Sequence, residues 1–238
     1  MPSRRRRFMR GRLTGSGVNA FTAPFRWIIV TGAVFFISAG EISIPRAWIY
    51  TGIYSLGALV TGILLLRKSP ELLNDRGRIK EGTVKSDRIL LFSYFFIAVV
   101  VLPLVAGIDH RMQFSVMPFS YLYPGLFLYS AAALLSLLPM LHNRFFEGTL
   151  RIQKEKGHVV ISSGPYRVIR HPGYLGMLLG AAVPSLAFGS TISLIPALLM
   201  VIIVIARTSL EDRTLKRELA GYEYYAREVS YRLVPGIW

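Results

Sequence analysis

Cysteine is absent from all 238 residues, which removes disulfides, thiolate nucleophiles and Cys-ligated metal centres from consideration and leaves the redox compartment undetermined. Acidic residues are scarce, 13 Asp and Glu against 28 Lys and Arg, and charged residues together make up only 17% of a chain that is 53% hydrophobic. Soluble domains carry about 25% charge. A mean hydropathy of +0.46 therefore places the chain in a membrane. Only four histidines are present, at 110, 142, 158 and 171, too few without cysteine to suggest a metal cluster. There is no repeat of solenoid length and no low-complexity tract beyond the N-terminal arginines, so the expectation is one membrane domain.

What is present in quantity is long uncharged sequence. A hydrocarbon core of about 30 Å needs roughly 20 apolar residues in a helix, and uncharged runs occupy 27–40, 47–66, 89–108, 116–141 and 175–206. The last is too long for one upright crossing. Pro184 and the segment Phe188-Gly-Ser-Thr191 interrupt it, which predicts a hairpin of two shorter helices and six crossings in all. The basic residues agree with this count. With the N-terminus inside, 26 of the 28 fall in segments 1–26, 67–88, 142–174 and 207–238, and only Arg46 and Arg111 lie outside, as the positive-inside rule requires. A single crossing over 175–206 would send the basic tail to the wrong side. Both termini are thus expected in the cytosol, with the positive surplus spread along anionic lipid rather than gathered into a nucleic-acid patch. The chain divides into a basic cytosolic tail (1–26), four membrane helices (27–150) and a polar region with the hairpin and a C-terminal cap (151–238). The mixed-charge loop 67–88 reads as a solvated connector.

The chemistry-bearing residues cluster in two places. The first is the stretch 153–176 between the fourth and fifth spans, rich in Gly and polar side chains. There Pro172 predicts a helix start with His171 as its N-cap, and the free N–H groups of such a start attract a carboxylate. Gly173 and Gly176 at this spacing read as helix packing, and Tyr166 and Tyr174 are also ordinary interfacial residues. The second place is Arg207-Thr-Ser-Leu-Glu211-Asp212 at the end of the sixth span, where Arg207 and Glu211 share a helix face. Beyond it Leu215, Leu219, Tyr222, Ala226 and Val229 form one stripe while Lys216, Arg217, Glu218, Glu223 and Glu228 lie off it. This predicts an amphipathic interfacial helix that either lids the site or anchors the tail.

The segments Gly164-Pro-Tyr-Arg-Val-Ile-Arg-His-Pro-Gly-Tyr-Leu-Gly176, Arg207-Thr-Ser-Leu-Glu-Asp-Arg-Thr-Leu215, Gly221-Tyr-Glu-Tyr-Tyr225 and Arg232-Leu-Val-Pro-Gly-Ile-Trp238 together resemble the isoprenylcysteine carboxyl methyltransferase family and its prokaryotic relatives. The resemblance runs over 153–238, and the first four spans share only their hydrophobicity with it. It implies an all-α, polytopic membrane methyltransferase that binds S-adenosylmethionine under a C-terminal cap and receives a lipophilic acceptor from the bilayer. Carried over by position, Gln153, His158, Val159, Val160, Ile161, Tyr166, His171, Pro172, Gly173 and Tyr174 line the cofactor pocket. Glu211 binds the cofactor and Arg207 the acceptor carboxylate. The family usually has paired Glu where this chain has Glu211-Asp212.

The residue chemistry agrees with that implication. A sulfonium cofactor offers an ammonium to Glu211, a carboxylate to the helix start or a nearby Arg, and a flat adenine to a Tyr. A carboxylate acceptor is already ionised, so alignment suffices and no general base is needed. An amine or thiol acceptor would instead call on Glu211, Asp212 or His171 to take a proton. Two rival readings are an NADPH-dependent membrane reductase of the sterol type, which shares an Arg-His-Pro-x-Tyr block, and a small transporter, which would need ionisable residues inside its spans.

Overall fold

The computed structural model describes residues 12–238, so the arginine run at 4–7 lies outside the described residues. Every regular element among these is helical. The helices are α1 (Gly15–Ala39), α2 (Pro45–Lys68), α3 (Pro70–Arg76), α4 (Lys85–Phe96), α5 (Leu102–Met112), α6 (Leu122–His142), α7 (Pro172–Ala181), α8 (Val183–Phe188), α9 (Leu194–Glu218) and α10 (Tyr222–Glu228). A π-helical turn, Ile97–Val101, joins α4 to α5 without a break. It falls just before Pro103, whose missing N–H and ring disturb the preceding turn.

Five helices are long and apolar enough to cross a membrane: Gly15–Ala39, Pro45–Lys68, Lys85–Met112, Phe119–His142 and Leu194–Glu218. The shorter apolar pair α7–α8, Pro172–Phe188, supplies the other arm of the predicted hairpin. The break falls where the sequence placed it. Gly189, at φ +79°, ends α8, and a Cβ there would stand 1.9 Å from Arg46 Nη1. Buried Arg46 explains that crowding: its guanidinium donates to the carbonyls of Ala187, Met117 and Leu186, each at 2.8 Å. The arginine satisfies carbonyls that the end of α8 leaves unpaired.

The first helix starts twelve residues before its apolar run. Thr14 caps it through a 3.4 Å hydrogen bond from the Gly17 N–H, and its first turns pack on α3, where Asn74 accepts from the Thr14 N–H at 2.9 Å. The loop 67–88 is likewise more than a connector, since it contains α3 with Leu72 and Leu73 buried.

The core runs along α1, α2, α5, α8 and α9, with Phe35 stacked on Phe188 at 4.1 Å. Outward-facing residues such as Ile37 and Phe127, each 78% exposed, present apolar surface of the kind a bilayer covers. Helices α6 and α7 pack closely because Gly176 has no side chain: a Cβ there would lie 2.9 Å from the Ala132 carbonyl oxygen. Gly176 is thus a packing glycine.

The expected interfacial amphipathic helix takes a different form. Its first half is the end of α9, its second half is α10, and a turn through Gly221 at φ +83° separates them. The stripe still forms a single apolar face: Leu219, Tyr222 and Tyr225 are buried with Tyr166, and Leu215, Ala226 and Val229 pack around them against Ile152, Val160 and Ile161. It lies on the polar loop rather than on lipid, so the C-terminal segment is a cap.

Candidate functional site at the polar end of the bundle

One cavity of about 1010 Å³ reaches from the cap into the helices, at the upper end of the ~300–1,000 Å³ of small-molecule sites. Its polar end is walled by His158 to Ile161, Tyr166, Arg170 to Tyr174, Arg207, Glu211, Tyr222 and Tyr225, and its apolar end by Trp27, Tyr54, Phe92, Phe95, Val99 and Met177. Phe92 is 71% and Trp27 37% exposed on the outside of the bundle, so the apolar end reaches residues of α1 and α4 that also face the outer, apolar surface.

Helix α7 starts as predicted, with His171 at the N-cap and Pro172 at the first position. Its side chain makes no capping bond. The His171 Nε2 instead stands 3.4 Å from Asp212 Oδ1 and 3.3 Å from the Tyr222 hydroxyl. Three residues on, the Tyr174 hydroxyl donates to Glu211 Oε2 at 2.6 Å, bridging α7 and α9. Glu211 keeps 27% of its side chain accessible. Its second oxygen, Oε1, forms no hydrogen bond among the described residues and lies 3.8 Å from His171 Nδ1.

Arg207, one turn before Glu211, is 2% exposed. Its Nε donates to Asp87 Oδ1 at 2.8 Å and its Nη2 to the Gly148 carbonyl at 3.3 Å, while the guanidinium lies over the Tyr174 ring at 5.1 Å. Nη1 makes no hydrogen bond among the described residues. Asp87, fully buried at the start of α4, also accepts from the Leu150 N–H at 2.8 Å. It ties together α4, α9 and the 145–151 loop, and it lay hidden in the loop read as a bland connector. A carboxylate one turn before an apolar run resembles any helix-start signal, so only its buried partner reveals its role.

Asp212 has a different task from Glu211. It is fully buried and absent from the cavity wall. It accepts from Arg170 Nε at 2.8 Å, Tyr222 Oη at 3.1 Å and Arg232 Nε at 3.1 Å, with Lys216 Nζ at 3.3 Å. The second carboxylate of the pair thus fastens α7, the cap and the C-terminal segment to α9.

All the sequence-predicted site residues line the cavity except Gln153. Gln153 is 1% exposed behind the wall, its Nε2 donating to the Phe145 carbonyl at 2.7 Å and its Oε1 without a partner among the described residues. His158 stacks near Phe145 at 4.4 Å, and burial lowers its pKa, which keeps the imidazole neutral near pH 7. Burial also pushes up the Tyr166 phenol, with the Asn143 amide opposing. Tyr166 therefore stays a neutral, flat surface in the wall.

Fold and site together define a polytopic helical membrane protein with a candidate small-molecule cavity at one end of the bundle. Residues 125–217 match the sequence model of the Isoprenylcysteine carboxyl methyltransferase (ICMT) family. Over that stretch the chain is ICMT-like, and the match joined to the spanning helices makes it a membrane methyltransferase in the general sense. The matched region starts in α6, so it takes in the fourth span as well as the polar loop, α7, α8 and most of α9. Helices α1 to α5 and α10 lie outside it. No curated protein matches the chain.

Proposed function

We propose that the protein transfers a methyl group from S-adenosylmethionine to a lipophilic acceptor that carries a carboxylate and reaches the site from the bilayer. The observation that carries this reading is the shared cavity: Glu211, held by Tyr174 through one oxygen, lines the same space as an apolar wall that reaches the outward-facing residues Trp27 of α1 and Phe92 of α4. The donor set fits the cofactor. Glu211 would take its ammonium, the start of α7 at Gly173 its carboxylate, and the surface from His158 to Ile161 with Tyr166 its adenine. When bound, S-adenosylmethionine supplies an electrophilic methyl group on a positively charged sulfur.

The chain's own contribution is placement. Arg207, clamped by Asp87 and Gly148, offers Nη1 to an oxyanion on the acceptor. No residue has to remove a proton from an ionised carboxylate, which suits a site whose wall presents no nucleophile and base pair. The cap of α10 and the C-terminal segment covers the polar end and keeps water from it. In this reading the polar end faces the cytosol with both termini, beside anionic lipid, as the distribution of basic residues supports.

Calorimetric titration of the purified protein with S-adenosylhomocysteine tests the proposal. Glu211→Ala should abolish cofactor binding, whereas Arg207→Lys should keep it and lose turnover. Unchanged binding in the Glu211 variant removes that residue from its role, and tight NADPH binding without S-adenosylhomocysteine binding replaces the whole reading with a reductase.

A further inference from the structure

The cavity wall holds a cation that the proposed reaction has not used. Arg76, the last residue of α3, is half-buried and donates Nη1 to the Phe146 carbonyl at 3.1 Å, with its guanidinium over the Phe146 ring at 5.2 Å. No carboxylate lies within ion-pair distance of it among the described residues. The carboxylate that acts on it is Glu147, which already bonds Arg151 Nε at 2.7 Å and Lys80 Nζ at 2.7 Å. Arg76 lines the same space as Arg207, near enough that the two charges repel. Burial first, and then the Arg207 charge, lower the Arg76 pKa to about 10. Two guanidiniums on the wall of one cavity, one of them without a carboxylate partner among the described residues, carry an electrostatic cost that a bound anion would relieve.

Arg78 and Arg88 line the cavity as well, both exposed and neither in an ion pair among the described residues. The wall is therefore cationic next to the apolar end, and a zwitterionic cofactor with a net positive charge does not balance it.

We infer that Arg76 is a specificity-determining residue for the acceptor: held on the Phe146 carbonyl two residues from the Gly148 carbonyl that holds Arg207, it adds a second cation for the head-group oxyanion. The inference rests on the proposed reading in one respect: the acceptor shares this cavity with the cofactor. Arg76 comes from the segment between the second and third spans, outside the family-matched region, so it sets acceptor choice on a part of the chain free to differ from that region.

The probes are a long-chain S-alkyl-N-acetylcysteine, its methyl ester, and a long-chain alkyl phosphate, each titrated into detergent-solubilised protein with and without S-adenosylhomocysteine. The wild type should bind the carboxylate or the phosphate at least roughly tenfold more tightly than the neutral ester, and the tighter of the two identifies the head group. Arg76→Gln should cut that preference by at least about threefold while Arg207 holds the remainder, Arg76→Lys should restore part of it, and ester and S-adenosylhomocysteine binding should stay within about twofold of wild type. An equal loss for ester and acid would mean that Arg76 only shapes the wall, which overturns the inference. Weakened S-adenosylhomocysteine binding in Arg76→Gln would assign the anion to the cofactor and overturn it too. Failure of S-adenosylhomocysteine to bind the wild type, with the anion preference intact, would sink the methyltransferase reading and leave the arginine pair standing.

Discussion

The carboxylates Asp87, Glu211 and Asp212 differ in what surrounds them, and that difference predicts how each responds to change. Asp87 and Asp212 are fully buried with cationic partners, whereas Glu211 is partly open, accepts one hydrogen bond from a phenol and lies 3.8 Å from the His171 imidazole. Removing one member of a buried ion pair strands the other charge at a cost of about 3–5 kcal/mol. Asp87→Ala is therefore expected to lower the unfolding free energy by roughly 3 kcal/mol, read by denaturant titration in detergent, since it strands Arg207. Asp212→Ala should cost at least as much and should also speed proteolysis after residue 218, because the cap loses its fastening to α9. Glu211→Gln should leave stability within about 0.5 kcal/mol while removing cofactor binding. The sequence displayed Glu211-Asp212 as a pair. A step of about 100° per residue turns neighbours on a helix to different faces, and only the packing of α7 and the cap shows which face meets the cavity. The choice of Glu211 over Asp212 for the cofactor came from the resemblance; the structure puts Glu211 on the cavity wall and Asp212 behind it, and the holding role of Asp212 was not legible.

At the scale of elements, turns and caps decide the arrangement. The hairpin was readable because a glycine and small polar residues interrupt an apolar run that is too long to cross once. What could not be read is why Gly189 tolerates nothing larger: the crowding partner, Arg46, lies 143 positions earlier in the chain. Gly189→Ala combines positive φ with contact against that guanidinium, and should cost more than about 1 kcal/mol, measured as a fall in thermal midpoint. The C-terminal stripe was read correctly as one apolar face. Its division by Gly221 was not foreseen, because a 3.6-residue period survives a turn that brings both halves over the same surface.

The loop beneath that cap supplies a pH dependence. His158 has its folded pKa below the ordinary value because burial disfavours the imidazolium. Above about pH 6.5 the imidazole is neutral whether the loop is packed or not, and the packing is intact. As pH falls below that value the unpacked loop takes up a proton that the packed loop resists, so stability declines towards acid. His158→Gln should flatten this decline between about pH 6.5 and 5, as followed by thermal unfolding across that range.

At the scale of the whole molecule, most spans and the polar face were readable from hydropathy and charge, since a bilayer enforces both along the sequence. The start of α1 was not, because it depends on a side-to-side contact with α3 in a segment whose composition looks like loop. The proposed sidedness is open to direct test. With no native cysteine, single cysteines introduced at residue 82 and residue 220 should label from the cytosolic side with an impermeant maleimide, and one at residue 113 only from the opposite side.

The cavity also bears on the order of events in catalysis. Its polar end lies under the cap and its apolar end reaches outward-facing residues of α1 and α4, so in the proposed reaction a water-borne ligand and a lipid-borne one would approach from different media and neither would block the other's path. Initial-rate measurements with both substrates varied should then give intersecting rather than parallel lines, with no obligatory first comer, and each product should leave by the route its own precursor used.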